Sequence, residues 1–395
     1  MWIVFSISVA LLAYAYAGYP ALIWLLAGLR GRPAGKGRFE GGVSVLIAAH
    51  NEAATLPRKL ENLLALAKSE PIREIWIGLD GCTDGTGELA KERIQNSEFR
   101  IQDGANLQPP TGNLQPSIHI LDFDRRRGKA AVLNKLMEKA AQPILVMMDA
   151  RQRVEEGAIS RLLENFADAQ VGVVSGALVY ESAEGGAQKG AESYWGYEKF
   201  IRRCESRFWA VPGATGALYA IRKELCRPIP ENTLVDDVLI PMRAVLAGFR
   251  CLFEPDARAF DLPSARFGQE GIRKRRTLAG IWQLGKLEPS IYSVFANPVW
   301  FQWLSHKYLR LWTPFMVLLM FGSAGIMAWK GGGVAKALFA GLAAGIGISG
   351  LSFLAGRRIQ SRFLGVLGAF WGVNKALLQA AWDAGTRRFE AKWQK

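Results

Sequence analysis

From Met1 to Leu29 the chain carries no charged side chain. A helix needs about 20 apolar residues to cross the hydrocarbon core of a bilayer, so Trp2 to Leu29 is long enough to span, and a wholly soluble single domain is disfavoured. Ala13-Tyr14-Ala15 has the pattern of a cleavage tripeptide, but the apolar run continues past it and no basic region precedes it, so the segment reads as a retained anchor. Leu311 to Trp329 and Ala337 to Ala355 are further uncharged stretches separated by the turn Lys330-Gly331-Gly332-Gly333, and they read as a spanning hairpin. Phe363 to Trp382 contains Asn374 and Lys375, which are costly at mid-bilayer. It either spans or lies in the interface.

Arg30, Arg32, Lys36 and Arg38 follow the first anchor directly, and positive flanks stay cytoplasmic. The segment from 40 to about 290 is therefore expected to be cytosolic. Arg357, Arg358 and Arg362 return the hairpin to the same side. The chain holds 49 Lys+Arg against 35 Asp+Glu, a net charge of +14, and these cations cluster beside membrane segments rather than with stacking aromatics. The excess is thus assigned to membrane lipids and not to nucleic acid. Cys82, Cys204, Cys226 and Cys251 show no CxxC spacing, so neither a disulfide framework nor a zinc site is expected. The expected organisation is an anchor over 1–30, a cytosolic domain over 40–280, interfacial helices over 281–308, a transmembrane region over 309–382 and a basic interfacial tail over 383–395 that includes Arg387, Arg388, Lys392, Trp393 and Lys395.

Within the soluble part, short apolar runs alternate with helical patterns, the signature of an α/β domain with a mainly parallel, Rossmann-like sheet. Strands are predicted at Val43 to Ala49, Glu74 to Leu79, Ser117 to Leu121, Ile144 to Met148 and Val171 to Ser175, with helices over 54–67, from Thr86 and through Val238 to Leu246. Ligands of such sheets bind at the carboxyl ends of the strands. There stand Asn51 and Glu52, Asp80, Arg127-Gly128-Lys129 and Asp149-Ala150-Arg151. No GxGxxG follows the first strand and no P-loop glycine precedes Gly128-Lys129, so dinucleotide redox and P-loop chemistry lack their usual marks. Singly, each polar residue reads as a turn former or helix cap. Together they fit a nucleotide-diphosphate site, where carboxylates accept from base and ribose and cations meet the diphosphate.

Val45-Leu46-Ile47-Ala48-Ala49-His50-Asn51-Glu52, Asp80-Gly81-Cys82-Thr83-Asp84-Gly85-Thr86, Gly128-Lys129-Ala130-Ala131-Val132-Leu133-Asn134 and Asp149-Ala150-Arg151 are similar to the successive motifs of family 2 glycosyltransferases. The resemblance continues through Gly213-Ala214-Thr215-Gly216-Ala217-Leu218-Tyr219-Ala220-Ile221-Arg222, Val235-Asp236-Asp237 and Arg273-Lys274-Arg275-Arg276-Thr277-Leu278-Ala279-Gly280. It covers about residues 40 to 310, and with its membrane helices the chain resembles the cellulose, hyaluronan and poly-N-acetylglucosamine synthase-like branch.

That resemblance implies an A-type glycosyltransferase fold, a UDP-sugar donor, inversion at the anomeric carbon and hexosyl or N-acetylhexosaminyl transfer in polysaccharide biosynthesis. It places Glu52 and Asp80 at the uridine, with Ala49 among the donor-binding residues, Lys129 at the diphosphate, and Asp149 on the donor phosphates through Mg²⁺ or Mn²⁺; Arg151, which departs from the family, is read as a further donor-site residue facing phosphate. Asp237 matches the catalytic base, with Gly216, Asp236, Arg273 and Arg276 on the acceptor side. An inverting transfer needs one carboxylate to take the acceptor proton, while a metal and cations stabilise the departing diphosphate. Asp236 beside Asp237 would raise its neighbour's proton affinity if both are buried; the competing role for the pair is to cap the following helix.

Two positions depart from the family pattern. Its Asp-x-Asp metal motif reads Asp149-Ala150-Arg151, and a guanidinium cannot ligate a cation, which leaves Asp149 as the metal ligand with substrate phosphates. The Gln-x-x-Arg-Trp motif of processive synthases reads Arg273-Lys274-Arg275-Arg276-Thr277, which keeps the Arg but lacks the aromatic platform for a polymer's terminal sugar. Glu192-Ser193-Tyr194-Trp195-Gly196-Tyr197-Glu198 with Arg202, Arg203 and Glu205 reads as an amphipathic helix near the acceptor, and Trp300, Trp303, His306 and Lys307 as interfacial anchors.

The expected protein is thus an integral component of a bacterial-type inner or plasma membrane that transfers sugar to a polysaccharide or lipid acceptor. At most four spans are few to enclose a polysaccharide channel, so a lipid acceptor or an export partner is expected. A polyprenyl-phosphate sugar synthase, a non-catalytic nucleotide-sugar sensor and a transporter are the competing classes.

Overall fold

β1 (Val43–Ala49) is buried at all seven positions, which fits the uninterrupted apolar run of a strand covered on both faces. It lies inside an eight-stranded sheet in a computed structural model that describes residues 1–95, 116–181, 186–261, 267–355 and 361–386. The other strands are β2 (Ile72–Asp80), β3 (Ser117–Phe123), β4 (Ile144–Met147), β5 (Arg153–Val154), β6 (Val171–Tyr180), β7 (Tyr219–Arg222) and β8 (Arg250–Asp261). Their order is β3-β2-β1-β4-β7-β6-β8-β5.

The first four strands run parallel, in register from Val43 opposite Ile72 and Ile144. β7 then enters antiparallel to both β4 and β6. The predicted fifth strand therefore does not follow β4 directly; β7 separates them. An apolar run reports burial, and burial is the same for either pairing direction. The chain order reverses at β1, whose neighbours are β2 and β4, so the crevice for a ligand opens beyond these strand ends.

Helices cover both faces. α3 (Leu56–Leu66) buries Leu56, Leu60 and Leu63 on one stripe, and α4 (Thr86–Gln95) and α5 (Lys129–Lys139) complete the parallel half. α6 (Ala158–Leu163), α7 (Gly186–Phe208), α8 (Asp236–Leu246) and α9 (Phe267–Leu287) pack around the remainder. Gly78 has no room for a side chain, since an added Cβ would lie 2.3 Å from Val132 on α5.

The apolar segments fold as helices that leave large hydrophobic side chains uncovered. α1 (Trp2–Ala13) and α2 (Tyr19–Arg30) join through a π-helical turn at Tyr14–Gly18, and Trp24, Leu25 and Leu29 stay exposed. Among the described residues three helices are long and apolar enough to cross a membrane: Trp2–Arg30, Gly333–Ala355 and Phe363–Thr386. A fourth candidate is a pair, Trp300–Leu311 and Thr313–Trp329, bent by 57°. Within Phe363–Thr386 the Asn374 amide donates to the Phe370 carbonyl at 2.8 Å, and the Lys375 ammonium lies over the Phe353 ring. The Asn374 side-chain nitrogen and the Lys375 ammonium thus find partners on these helices, while the Asn374 side-chain oxygen has none among the described residues. At its far end Asp383 accepts two hydrogen bonds from Arg275 of α9, so this end is held against the soluble domain.

Residues 281–308 do not form exposed interfacial helices alone. α9 ends at Leu287, and Trp303 and His306 are buried inside the protein rather than displayed at its surface. His306 meets Glu198 and Glu205 of α7, and Trp303 packs edge-on against Tyr292, relations that local composition does not encode. α2 is likewise part of the packing: Tyr19, Ile23 and Ala27 bury against Ile201 and Cys204 of α7. The basic tail beyond 386 and the cations Arg357 and Arg358 lie outside the described residues.

Candidate active site

The strand ends are joined to one another by hydrogen bonds. Asn51, just past β1, has φ 53° and is the one non-glycine residue with positive φ among those described. Asn tolerates this region better than most residues, and its Oδ1 accepts from the Thr83 amide at 2.8 Å. Asp84 accepts from the Ala53 and Thr86 amides, which clamps the loop after β1 to the loop after β2. Glu52 stands on the first loop, and its carboxylate accepts from the Thr55 hydroxyl. Ala49 closes β1 and is fully buried.

Asp80 is fully buried at the end of β2. Its two oxygens accept from the Arg127 amide at 2.6 Å and the Gly128 amide at 2.8 Å. The carboxylate thereby holds Gly128, at φ 99°, at the start of α5, where the helix dipole favours negative charge. The bonds also place Lys129, the first residue of α5, in the crevice.

Lys129 Nζ lies 3.0 Å from Asp149 Oδ1 and 3.1 Å from Asp236 Oδ2. Asp149 follows β4, while Asp236 and Asp237 open α8 behind Val235 as its N-cap residue. Asp237 does not cap its own helix with its side chain; its Oδ2 accepts from the Gly216 amide at 3.0 Å, and its carbonyl accepts from the Ala214 amide at 2.8 Å. A Cβ added at Gly216 would lie 3.3 Å from Asp237 Oδ2 and 3.5 Å from Asp149 Oδ2. The two carboxylates therefore converge on one glycine.

The Lys129 ammonium lies among three carboxylates, and the proton affinities of Asp149 and Asp237 diverge. Burial would lower the Lys129 pKa, but Asp149, Asp236 and Asp237 outweigh it and raise it above the usual lysine value. Burial works against the Asp149 anion, yet Lys129 and Arg151 hold its carboxyl below the ordinary range. Asp237 goes the other way: burial first, then Asp236, push it up to about 6 against the pull of Lys129. The acidic pair at the helix start thus carries the effect expected of it.

Arg151 donates to Asp261 at 3.4 Å, and Gln152 donates to the same carboxylate at 2.8 Å. Arg273 lies within the electrostatic reach of Arg151, Asp261, Glu52 and Asp149. Arg276 donates to the Leu234 carbonyl at 3.5 Å. Asp236, assigned to the acceptor side, shares Lys129 with Asp149.

Sequence reasoning passed over Lys59. It is buried on the apolar stripe of α3, donates to the Gln152 carbonyl at 2.8 Å, and burial pushes its pKa down to about 7, with Asp149 opposing. The signal was present: a lysine at 59 falls on the helical spacing of Leu56, Leu60 and Leu63. Among the described residues no three His, Cys, Asp or Glu side chains form a metal cage. The excess of carboxylate over ammonium nevertheless suits a divalent cation of the kind that takes one or two carboxylates and completes its shell with phosphate oxygens.

Residues 44–229 match the family model for glycosyl transferase family 2. The poly-beta-1,6-N-acetyl-D-glucosamine synthase of Staphylococcus aureus strain COL is 26% identical over 262 residues, 65% of this chain and 57% of that protein. The enzyme of the same name from Staphylococcus epidermidis is 24% identical over 241 residues, 60% of this chain and 53% of its own. The chain therefore spans little more than half the length of these curated relatives. The mannosyltransferase PcManGT from Pyrobaculum calidifontis, solved with GDP-Man and Mn²⁺, superposes with a TM-score of 0.71 at 21% identity over 96% of this chain and 98% of its own. The fold is thus that of A-type glycosyltransferases, shared over nearly the whole chain.

Proposed function

From the family 2 glycosyltransferase domain that residues 44–229 form, we propose that the chain is an integral-membrane inverting glycosyltransferase that moves a hexosyl or N-acetylhexosaminyl group from a UDP-sugar to a polysaccharide or lipid acceptor. The observation that carries this reading is Asp237, a carboxylate pushed up to about 6 beside the Lys129 bridge and aimed at the same glycine as Asp149. A general base works best when its pKa lies near the operating pH. Asp237 takes the proton of the acceptor hydroxyl as that oxygen attacks the anomeric carbon; the bond from that carbon to the diphosphate oxygen breaks on the opposite face, and configuration inverts.

Lys129 and Arg151 meet the diphosphate, and Ala49, Glu52 and Asp80 form the uridine end. Asp149 would hold Mg²⁺ or Mn²⁺, which when bound supplies positive charge at the leaving diphosphate. The S. aureus and S. epidermidis relatives, named for N-acetylglucosamine polymer synthesis, support an N-acetylhexosamine donor. Residues 40–280 form the catalytic unit, cytosolic and facing a bacterial-type inner or plasma membrane, with the helices on either side anchored in lipid and an export partner serving any long product.

The test is UDP or GDP release by the full chain in nanodiscs, with UDP-sugars and GDP-mannose, in Mg²⁺, Mn²⁺ or EDTA, for wild type and Asp237→Asn. One donor is turned over, EDTA abolishes release, and the variant loses about two orders of magnitude or more. Binding without turnover of any donor would instead support a nucleotide-sugar sensor.

A further inference from the structure

The loop 213–216 hands its amides to Asp237, yet its own position is set from elsewhere. Ser175, at the middle of β6, carries the connection: its Oγ accepts from Arg202 Nη2 at 2.8 Å and from the Thr215 amide at 3.1 Å, and donates to the Gly176 carbonyl at 3.1 Å. A hydroxyl has one donor and two acceptor sites, so this one is saturated and cannot rotate without losing a bond. The same Arg202 nitrogen reaches the Gly213 carbonyl at 3.3 Å, and its guanidinium lies 4.7 Å over the Phe253 ring. Arg202 therefore holds both ends of the short segment whose last amide donates to Asp237.

α7 is itself fixed from the membrane side. One turn before Arg202, Glu198 accepts from His306 Nε2 at 2.9 Å; one turn after it, Glu205 contacts His306 Nδ1 at 2.8 Å and accepts from the Tyr19 hydroxyl of α2 at 2.5 Å. Glu198, Arg202 and Glu205 fall on one helical face. His306 and Tyr19 thus bolt down the stretch of α7 that presents Arg202.

We infer that Arg202 is a positioning residue for the general base: through Ser175 and the Gly213 carbonyl it holds the Gly216 amide in place, and so aims Asp237 at the acceptor hydroxyl. The inference rests on Asp237 acting as the base. It places the control of transfer chemistry on α7 and separates the aiming of the base from the binding of the donor.

The experiment measures donor turnover by the full chain in nanodiscs for Arg202→Ala, Ser175→Ala, Asp237→Asn and the Arg202→Ala/Asp237→Asn double variant. Misplacing a reacting group by about 1 Å costs about a hundredfold, so Arg202→Ala lowers kcat by about that factor with donor KM within about twofold. Millimolar guanidinium refills the vacated position and restores turnover, whereas sodium chloride at equal ionic strength does not. Ser175→Ala, a small change that spares the helix, lowers kcat in the same way but less. In the Asp237→Asn background the Arg202 substitution costs nothing further, because residues acting through one group are not additive. A donor KM that rises as far as kcat falls, no rescue by guanidinium, additive losses in the double variant, or a silent Ser175→Ala would each overturn the inference. If Asp237→Asn keeps the wild-type rate, the base assignment fails first, and that result is read independently of Arg202.

Discussion

Two clusters in this molecule share one design: a basic side chain bridging two carboxylates. In the crevice Lys129 bridges Asp149 and Asp236; at the junction with the long apolar helices His306 bridges Glu198 and Glu205. They differ in access and in spare capacity. The Lys129 and Asp149 side chains keep 14% and 28% of their surface, whereas those of His306 and Glu205 keep 1% and 0%. The crevice also holds a further acid, Asp237, pushed up to about 6, while at the junction His306 and Arg310 overcome burial and hold Glu198 well below the ordinary range. A carboxylate that can accept a proton near neutral pH suits chemistry. One that stays ionised and sealed suits a joint.

Substitutions at the two clusters should therefore fail in different ways. His306→Ala leaves two buried carboxylates short of a partner, a change that typically costs about 3–5 kcal/mol. Its melting temperature in detergent drops sharply, and turnover per folded molecule falls less than in Arg202→Ala, because Arg202 itself is kept; a variant as stable as wild type would show that the junction is not a joint. Asp237→Asn reverses this pattern, with turnover down by about two orders of magnitude and an unchanged melting temperature and UDP affinity. Equal losses of stability and turnover in both variants would erase the distinction between the clusters.

The pH dependence sharpens the comparison with a smaller effect. With Asp237 pushed up to about 6, its proton-accepting form is the minority below that pH, so kcat/KM falls about tenfold per unit on the acid side and levels above it. A flat profile between pH 5 and about 7 would remove Asp237 from the base role.

The smallest effect concerns Lys59, pushed down to about 7 from 10.5. Between these values the unfolded chain holds the proton and the native chain does not, so this group makes stability rise with pH across that window. Lys59→Met flattens the dependence of melting temperature on pH from 7 to about 9, at the expense of a lost bond to Gln152 worth about 1 kcal/mol. An unchanged slope would mean that Lys59 is charged in the native protein.

The crevice was legible because its parts are local. Asn51, Asp80, Lys129 and Asp149 each follow a strand that an apolar run announces, and parallel strands bring such ends together whatever their order. The antiparallel entry of β7 was not legible, since its three buried residues and closing arginine read alike in either direction. Nor was the junction: Glu198 and His306 meet across 108 residues, and nothing local to either names the other. His306 looked like an interfacial residue because its sequence neighbours are aromatic and basic; packing against α7 overrode that composition. Lys59 was legible in principle, as a charge on an apolar stripe.

The Tyr19 hydroxyl has a practical corollary. It comes from a helix that, by composition, looks like a mere tether, yet it donates to Glu205, whose second carboxylate oxygen has no hydrogen-bond partner. A soluble version of the catalytic unit made by trimming the chain at Arg30 would strip that carboxylate of a donor in the interior and uncover Ile201 and Cys204 as well. The first helix belongs to the fold as a wedge belongs to an arch, and protein engineers seeking a water-soluble transferase would have to replace its contacts before removing it.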